Sequence, residues 1–177
     1  MIRAYFKEIP IKHILILDDT KINIIGNKDG LIIKSGISTI GLKNMWYGIS
    51  ALADFAAEHE APDTMVIHTR LDIFCNSNNP RVEDLLPFIK KNKDEKPSHV
   101  LFISPDSCGG IDNFTMATVA VHKRMSNHFN TRMDEIVSLP QYSWVNQPER
   151  LVFMENVRMF GAPINSAPRS APRRWFF

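Results

Sequence analysis

Cysteine is scarce in this chain, with Cys75 and Cys108 alone among 177 residues. A chain long enough to bury a core has no need of a disulfide framework, and two distant cysteines lack the close pairing of a zinc or redox motif, so both read as reduced thiols. Long apolar runs are missing too. The opening Met1-Ile2-Arg3-Ala4-Tyr5-Phe6-Lys7-Glu8 holds no signal-peptide core, and no later stretch reaches the ~20 apolar residues of a membrane span. The expectation is a cytoplasmic protein without a transmembrane segment. An excess of one charge is absent as well: 21 basic against 19 acidic residues give a net charge of +2. That balance provides no basic stripe, and nucleic acid is not an expected partner. Gly109-Gly110 lacks the spacing of a dinucleotide fingerprint or a P-loop. His68, His122 and His128 are scattered, with no His-Glu-x-x-His pattern and no serine-hydrolase elbow.

What is present is an average globular composition, 44% hydrophobic and 23% charged, at a length that suits one core. His13-Ile14-Leu15-Ile16-Leu17 reads as a buried central strand closed by an Asp18-Asp19 turn. Ile22 to Ile25 and Leu31-Ile32-Ile33 complete an opening β-meander. Leu42, Met45, Trp46, Ile49, Leu52, Ala53 and Ala56 recur at helical spacing from Gly41 to His59, with Ser38 or Thr39 as cap. Thr64 to His68 follows as a strand and Val82 to Lys91 as a short helix. Val100 to Ile103 is a further strand, Phe114 to Phe129 a helix, and Arg150 to Met159 a last short helix or strand. The expected architecture is a single compact α/β domain over residues 1–161, with a mixed central sheet flanked by helices. The repeat Ser166-Ala167-Pro168-Arg169, Ser170-Ala171-Pro172-Arg173 marks residues 162–177 as a Pro/Arg-rich tail, flexible or partner-docking.

Three constellations can carry chemistry. In Val66 to Phe74 an apolar strand runs into Arg70 and Asp72, which share a face of an extended chain. The guanidinium fork suits phosphate oxygens and the carboxylate suits a divalent cation, although a plain ion pair satisfies the same spacing. The loop Ser104 to Phe114 carries Asp112 and Asn113 ahead of the expected helix. Either can cap that helix, or a carboxylate there can bind a hydroxyl acceptor and act as general base. Trp46 and Tyr47 are neighbours on a helix and cannot face the same way, so one belongs to the core and the other can stack on a base or sugar.

The stretches Lys43 to Ile49, Thr64 to Phe74 and Asp112-Asn113-Phe114 together resemble bacterial and viral glycosyltransferase-like proteins of capsular and lipopolysaccharide synthesis. The resemblance covers about half of the chain. It implies a GT-A-like fold, whole or truncated, and transfer of a sugar from a nucleotide-sugar donor to a hydroxyl of a glycan acceptor. Arg70 and Asp72 stand where that fold carries an Asp-x-Asp motif. The resemblance thus assigns the donor diphosphate to Arg70 and Asp72, a Mn²⁺ or Mg²⁺ ion to Asp72, and the acceptor base to Asp112. Trp46, Tyr47 and Asn113 join the substrate-binding set. Arg70 brings positive charge where a cation would sit, and takes over part of its work on the diphosphate. Such proteins grip the nucleotide with a first strand, a loop and an aromatic-rich segment. Here too little chain precedes Gly41: only the Ile11 to Leu17 strand is available for that part, and its Asp18-Asp19-Thr20 turn is not an evident nucleotide-binding loop. The competing expectation is therefore a non-catalytic binding or structural protein, of phage or viral origin or a remnant, whose basic aromatic tail docks a partner.

Overall fold

The structure is a computed structural model and describes residues 12–32, 36–69, 82–102, 114–145 and 147–161. Within them the chain forms a small α/β domain of four helices and two small antiparallel sheets. Strands β1 (Leu31–Ile32) and β2 (Ile37–Ser38) make a hairpin, with Leu31 opposite Ser38. Helix α1 (Thr39–His59) follows at once. Strand β3 (Met65–Thr69), helix α2 (Val82–Asn92), strands β4 (Leu101–Phe102) and β5 (Phe114–Thr118), and helices α3 (Val119–Ser138) and α4 (Pro148–Phe160) complete the order. β5 lies between β3 and β4 and is antiparallel to both. The described sheet is thus antiparallel rather than mixed. No described helix is long and apolar enough to cross a membrane.

Local chemistry sets the helix ends. Ser38 accepts a hydrogen bond from the Gly41 amide at 3.1 Å and caps α1. A Cβ at Gly41 would stand 2.6 Å from that same hydroxyl, so a larger residue there would require the Ser38 side chain to shift. Thr118 caps α3 through Val121 N–H. The next orphan amides, of Val119 and Ala120, donate to the carbonyls of Thr64 and Pro62. α4 begins on Pro148 and stops at Gly161, whose φ of +60° is the left-handed conformation that ends helices. α3 bends at Arg132, where φ is −124°. One residue earlier the Thr131 hydroxyl donates to the Asn127 carbonyl, an insertion that bends helices.

Two expectations are corrected. Residues 114–118 are a strand, not the first turn of a helix. All five are buried, because β5 is covered on both faces, and a strand covered twice loses the alternation that marks strands in sequence. His13 to Leu17 is no strand, and neither is Ile22 to Ile25. Ile16 is 84% exposed. The segment lies against α1 through side chains instead: His13 packs on His59 and Phe55, and Lys12 pairs with Glu60 at 2.7 Å. An apolar run needs a partner strand to pair, and among the described residues it has none. Arg150 to Met159 resolves as helix, and the tail lies outside the described residues.

The core fills the space between α1, α3, α4 and the sheet, with Trp46, Phe102, Phe129, Met133, Leu151 and Phe153 among its members. α4 is latched to β4 by Asn156, whose amide group donates to the Val100 carbonyl at 2.9 Å and whose carbonyl accepts the Val100 amide at 3.1 Å. Next to it in sequence, Glu155 is fully buried. Its carboxylate accepts from Tyr142 Oη at 2.6 Å, His128 Nε2 at 2.5 Å, and Arg158 Nε at 2.8 Å. Burial raises the Glu155 pKa, but Arg158, Tyr142 and His128 outweigh it and hold the carboxyl below its ordinary value. Removing this acceptor strands three donors from two helices and the Pro140–Tyr142 turn. Glu155→Ala is expected to cost about 3 kcal/mol in urea unfolding, the range for breaking a buried charge pair. A loss under about 1 kcal/mol would mean that the cluster is not structural.

Candidate functional site

The register of the three-stranded sheet fixes where its loops leave. Thr69, the last residue of β3, is opposite Phe114, the first of β5, and Phe102, the last of β4, is opposite Thr115. Two outgoing strand ends and one incoming end therefore share one edge. Arg70, Asp72, Asp112 and Asn113 themselves lie outside the described residues. What the structure places is the described chain on either side of them: Thr69 and Phe114 face each other as a registered pair.

Trp46 and Tyr47 are described, and they part as helical neighbours must. Trp46 is 5% exposed and stacks on Phe129, with centroids 4.2 Å apart and rings within 15° of parallel. Tyr47 is half-buried and lines an open groove of about 670 Å³ between α1 and the segment before β1. Leu17, Ile22, Ile24 and Ile40 give that groove its apolar wall, and Lys28 and Asn44 its polar groups. The volume lies within the ~300–1,000 Å³ of small-molecule sites.

The groove's outer wall is held by charge. Lys43 is 4% exposed, donates to the Ile25 carbonyl at 2.7 Å and pairs with Asp134 at 2.7 Å. The second Asp134 oxygen accepts the Asn27 amide at 2.8 Å. Burial works to raise the Asp134 pKa, and the Lys43 and Asn27 hydrogen bonds more than reverse it. Gly26, at φ +77°, sits so close that a Cβ would fall on the Asp134 carboxylate.

A second recess lies inside. A cavity of about 30 Å³ is enclosed by apolar side chains, including Met45, Ile49, Val100 and Phe102, with four polar ones: His68, Thr115, His122 and Ser126. Met45 lines both recesses. His68 and Thr115 are a registered pair of β3 and β5, and the His68 ring lies 5.4 Å from that of His122 on α3. Ser126 Oγ donates to the His122 carbonyl at 2.6 Å and stands 3.5 Å from His122 Nδ1. Trp46 also lines this space, and its buried Nε1 is a donor without a hydrogen-bond partner among the described residues. Burial, helped by the charge His68 can carry, lowers the His122 pKa to about 4.

No protein-family model, curated protein or solved structure matches the chain.

Sequence spacing separated Trp46 from Tyr47 but did not find the histidine pair. Its members sit 54 positions apart, and reading residues 114–118 as helix gave α3 no defined start from which to phase His122, Met125, Ser126 and Phe129. Among the described residues no group of three or more His, Cys, Asp or Glu side chains is placed to hold a metal.

Two outcomes follow from these contacts. Gly26→Ala combines a left-handed backbone with a clash on the Asp134 carboxylate that pairs with buried Lys43, and should destabilise by about 1–3 kcal/mol. In a double-mutant cycle with Asp134→Ala much of that cost should disappear, because the clashing group is gone; strict additivity would contradict the contact. For His122 the folded pKa lies below the unfolded one, so protons favour the unfolded chain. The fold carries no penalty above pH ~6.5 and loses stability as the pH falls toward 4, by about 3 kcal/mol in all. His122→Gln should flatten that part of a urea-midpoint profile against pH, and an unchanged profile would show that another group sets the slope.

Proposed function

We propose that the chain is a glycosyltransferase-like protein that moves a sugar from a nucleotide-sugar donor to a glycan hydroxyl, with its site at the shared edge of the sheet. The observation that carries this reading is the pairing of Thr69 with Phe114. It brings together the chain leading into Arg70-Leu71-Asp72 and the chain leading out of Asp112-Asn113, the motifs on which the resemblance rests. A donor site and an acceptor base contributed by distant segments need a scaffold of this kind, since proximity and orientation supply much of a transfer rate. The groove beside Tyr47 supports the reading as well. It joins an aromatic ring to Lys28 and Asn44, which suits a planar base carrying polar substituents.

In this reading Arg70 and Asp72 hold the donor diphosphate, Asp72 carries the Mn²⁺ or Mg²⁺ ion, and Asp112 takes the acceptor proton with Asn113 beside it. Tyr47 stacks on the donor. Trp46, although named with it in sequence, belongs to the core. A second reading, binding without transfer, draws on the first segment: residues 12–18 lie along α1 and add no strand that could carry a nucleotide loop.

A melting-temperature screen of nucleotide sugars, with and without Mn²⁺, separates the two. A donor at a hundred times its Kd stabilises by about 2.7 kcal/mol, or roughly 5–10 °C for a domain of this size. Tyr47→Ala is expected to weaken the donor about tenfold and Asp72→Asn to weaken it or abolish its Mn²⁺ response. Asp112→Asn should leave donor binding intact and stop transfer. Donor binding with no transfer by the unaltered protein selects the second reading. No shift with any donor removes both.

A further inference from the structure

The inner cavity joins one obligate donor to acceptors in a space too small for most ligands. Trp46 Nε1–H can only donate, and in burial it lacks a partner. Leaving such a group unpaired costs about 1–3 kcal/mol, so native proteins almost always satisfy it. Among the other lining residues, Ser126 has committed its proton to the His122 carbonyl. The hydroxyl can then only accept from His122 Nδ1, which makes Nδ1 the protonated nitrogen and leaves the Nε2 lone pair as the acceptor of a neutral ring. A ligand here must accept from indole and donate to imidazole or hydroxyl. A carboxylate donates nothing and brings a charge among mostly apolar side chains. A cation accepts nothing from an N–H.

We infer that this cavity is a binding site for one neutral hydroxyl oxygen, held between Trp46 Nε1 and the His122–Ser126 pair. In the free protein the occupant is a water, for which a polar space above about 10–15 Å³ is sufficient. The hydroxyl of a small alcohol offers the same donor and acceptor and can replace it. Burial that keeps His122 neutral preserves the lone pair this site uses. The site does not depend on sugar transfer.

The test is nuclear magnetic resonance of the indole N–H groups in the full chain, with the Trp46 signal assigned as the one lost in Trp46→Phe. A cross-peak between Trp46 Nε1–H and a long-lived water is expected. Titration with methanol should then shift that signal along a saturating curve, while Trp144, which is exposed, moves linearly with bulk solvent. A water cross-peak without saturation by methanol also upholds the site, with water as the resident. Absence of the cross-peak together with a linear methanol response would show a dry cavity and overturn the inference. If the cross-peak is found, His122→Phe should abolish it, and its persistence there would likewise overturn the assigned acceptor.

Discussion

The domain turns on the face-to-face contact of Trp46 with Phe129, which joins α1 to α3. Aromatic pairs add about 0.5–1.5 kcal/mol beyond the area they bury, but here position matters more than energy. A tryptophan is the one large apolar side chain whose rim carries a fixed N–H, so whatever aligns its face on Phe129 also aims that N–H. The clamped ring lines the space where His68, His122, Thr115 and Ser126 gather, and its N–H is buried without a partner among the described residues. Core and cavity are thus one arrangement. Phenylalanine at position 46 could keep the stack, yet would leave the polar side chains around it facing hydrocarbon.

Charge plays a different part at the two ends of the helix layer. Lys43 and Glu155 are both buried, and each is matched by a half-exposed partner of opposite charge, Asp134 and Arg158. Buried pairs add little net stability against a hydrophobic alternative, because desolvation consumes the Coulomb gain. What they supply is geometry. Lys43 and Asp134 fasten residues 25–27, which have no strand ladder to hold them, and so fix the wall of the groove that Tyr47 faces. Glu155 ties α4 to α3 and to the Pro140–Tyr142 turn, beside the Asn156 latch on β4. Both pairs hold irregular chain against regular chain.

The legible parts of the fold were those with a strong period or a capping signal. α1 was plain from Leu42, Met45, Trp46 and Ile49, and Ser38 was available as its cap. β3 was marked by β-branched residues after Pro62-Asp63. The failures share a cause. β5 is buried on both faces, so Phe114 to Thr118 show no alternation, and Thr118 then serves as a helix cap, which blurs the boundary further. His13 to Leu17 has a strand's composition, but pairing is a property of two segments and composition belongs to one. At the site, the separation of Trp46 from Tyr47 followed from helix geometry alone. The approach of His68 to His122 depends on how β3 packs against α3, which no local pattern encodes.

An antiparallel arrangement also explains why one edge of so small a sheet can gather distant segments. Ligand sites of parallel α/β sheets lie beyond the carboxyl ends of the strands, where every strand points the same way. Here β3 and β4 point one way only because each is antiparallel to β5, so their ends meet the start of β5 at a single edge. Phe102 and Phe114 anchor that edge from within the core, both nearly fully buried. The sheet register and the Trp46–Phe129 contact both lie on described chain, where Thr69, Phe102 and Phe114 hold fixed positions. A rigid edge is the physical condition for placing chemistry there, and it requires only three strands.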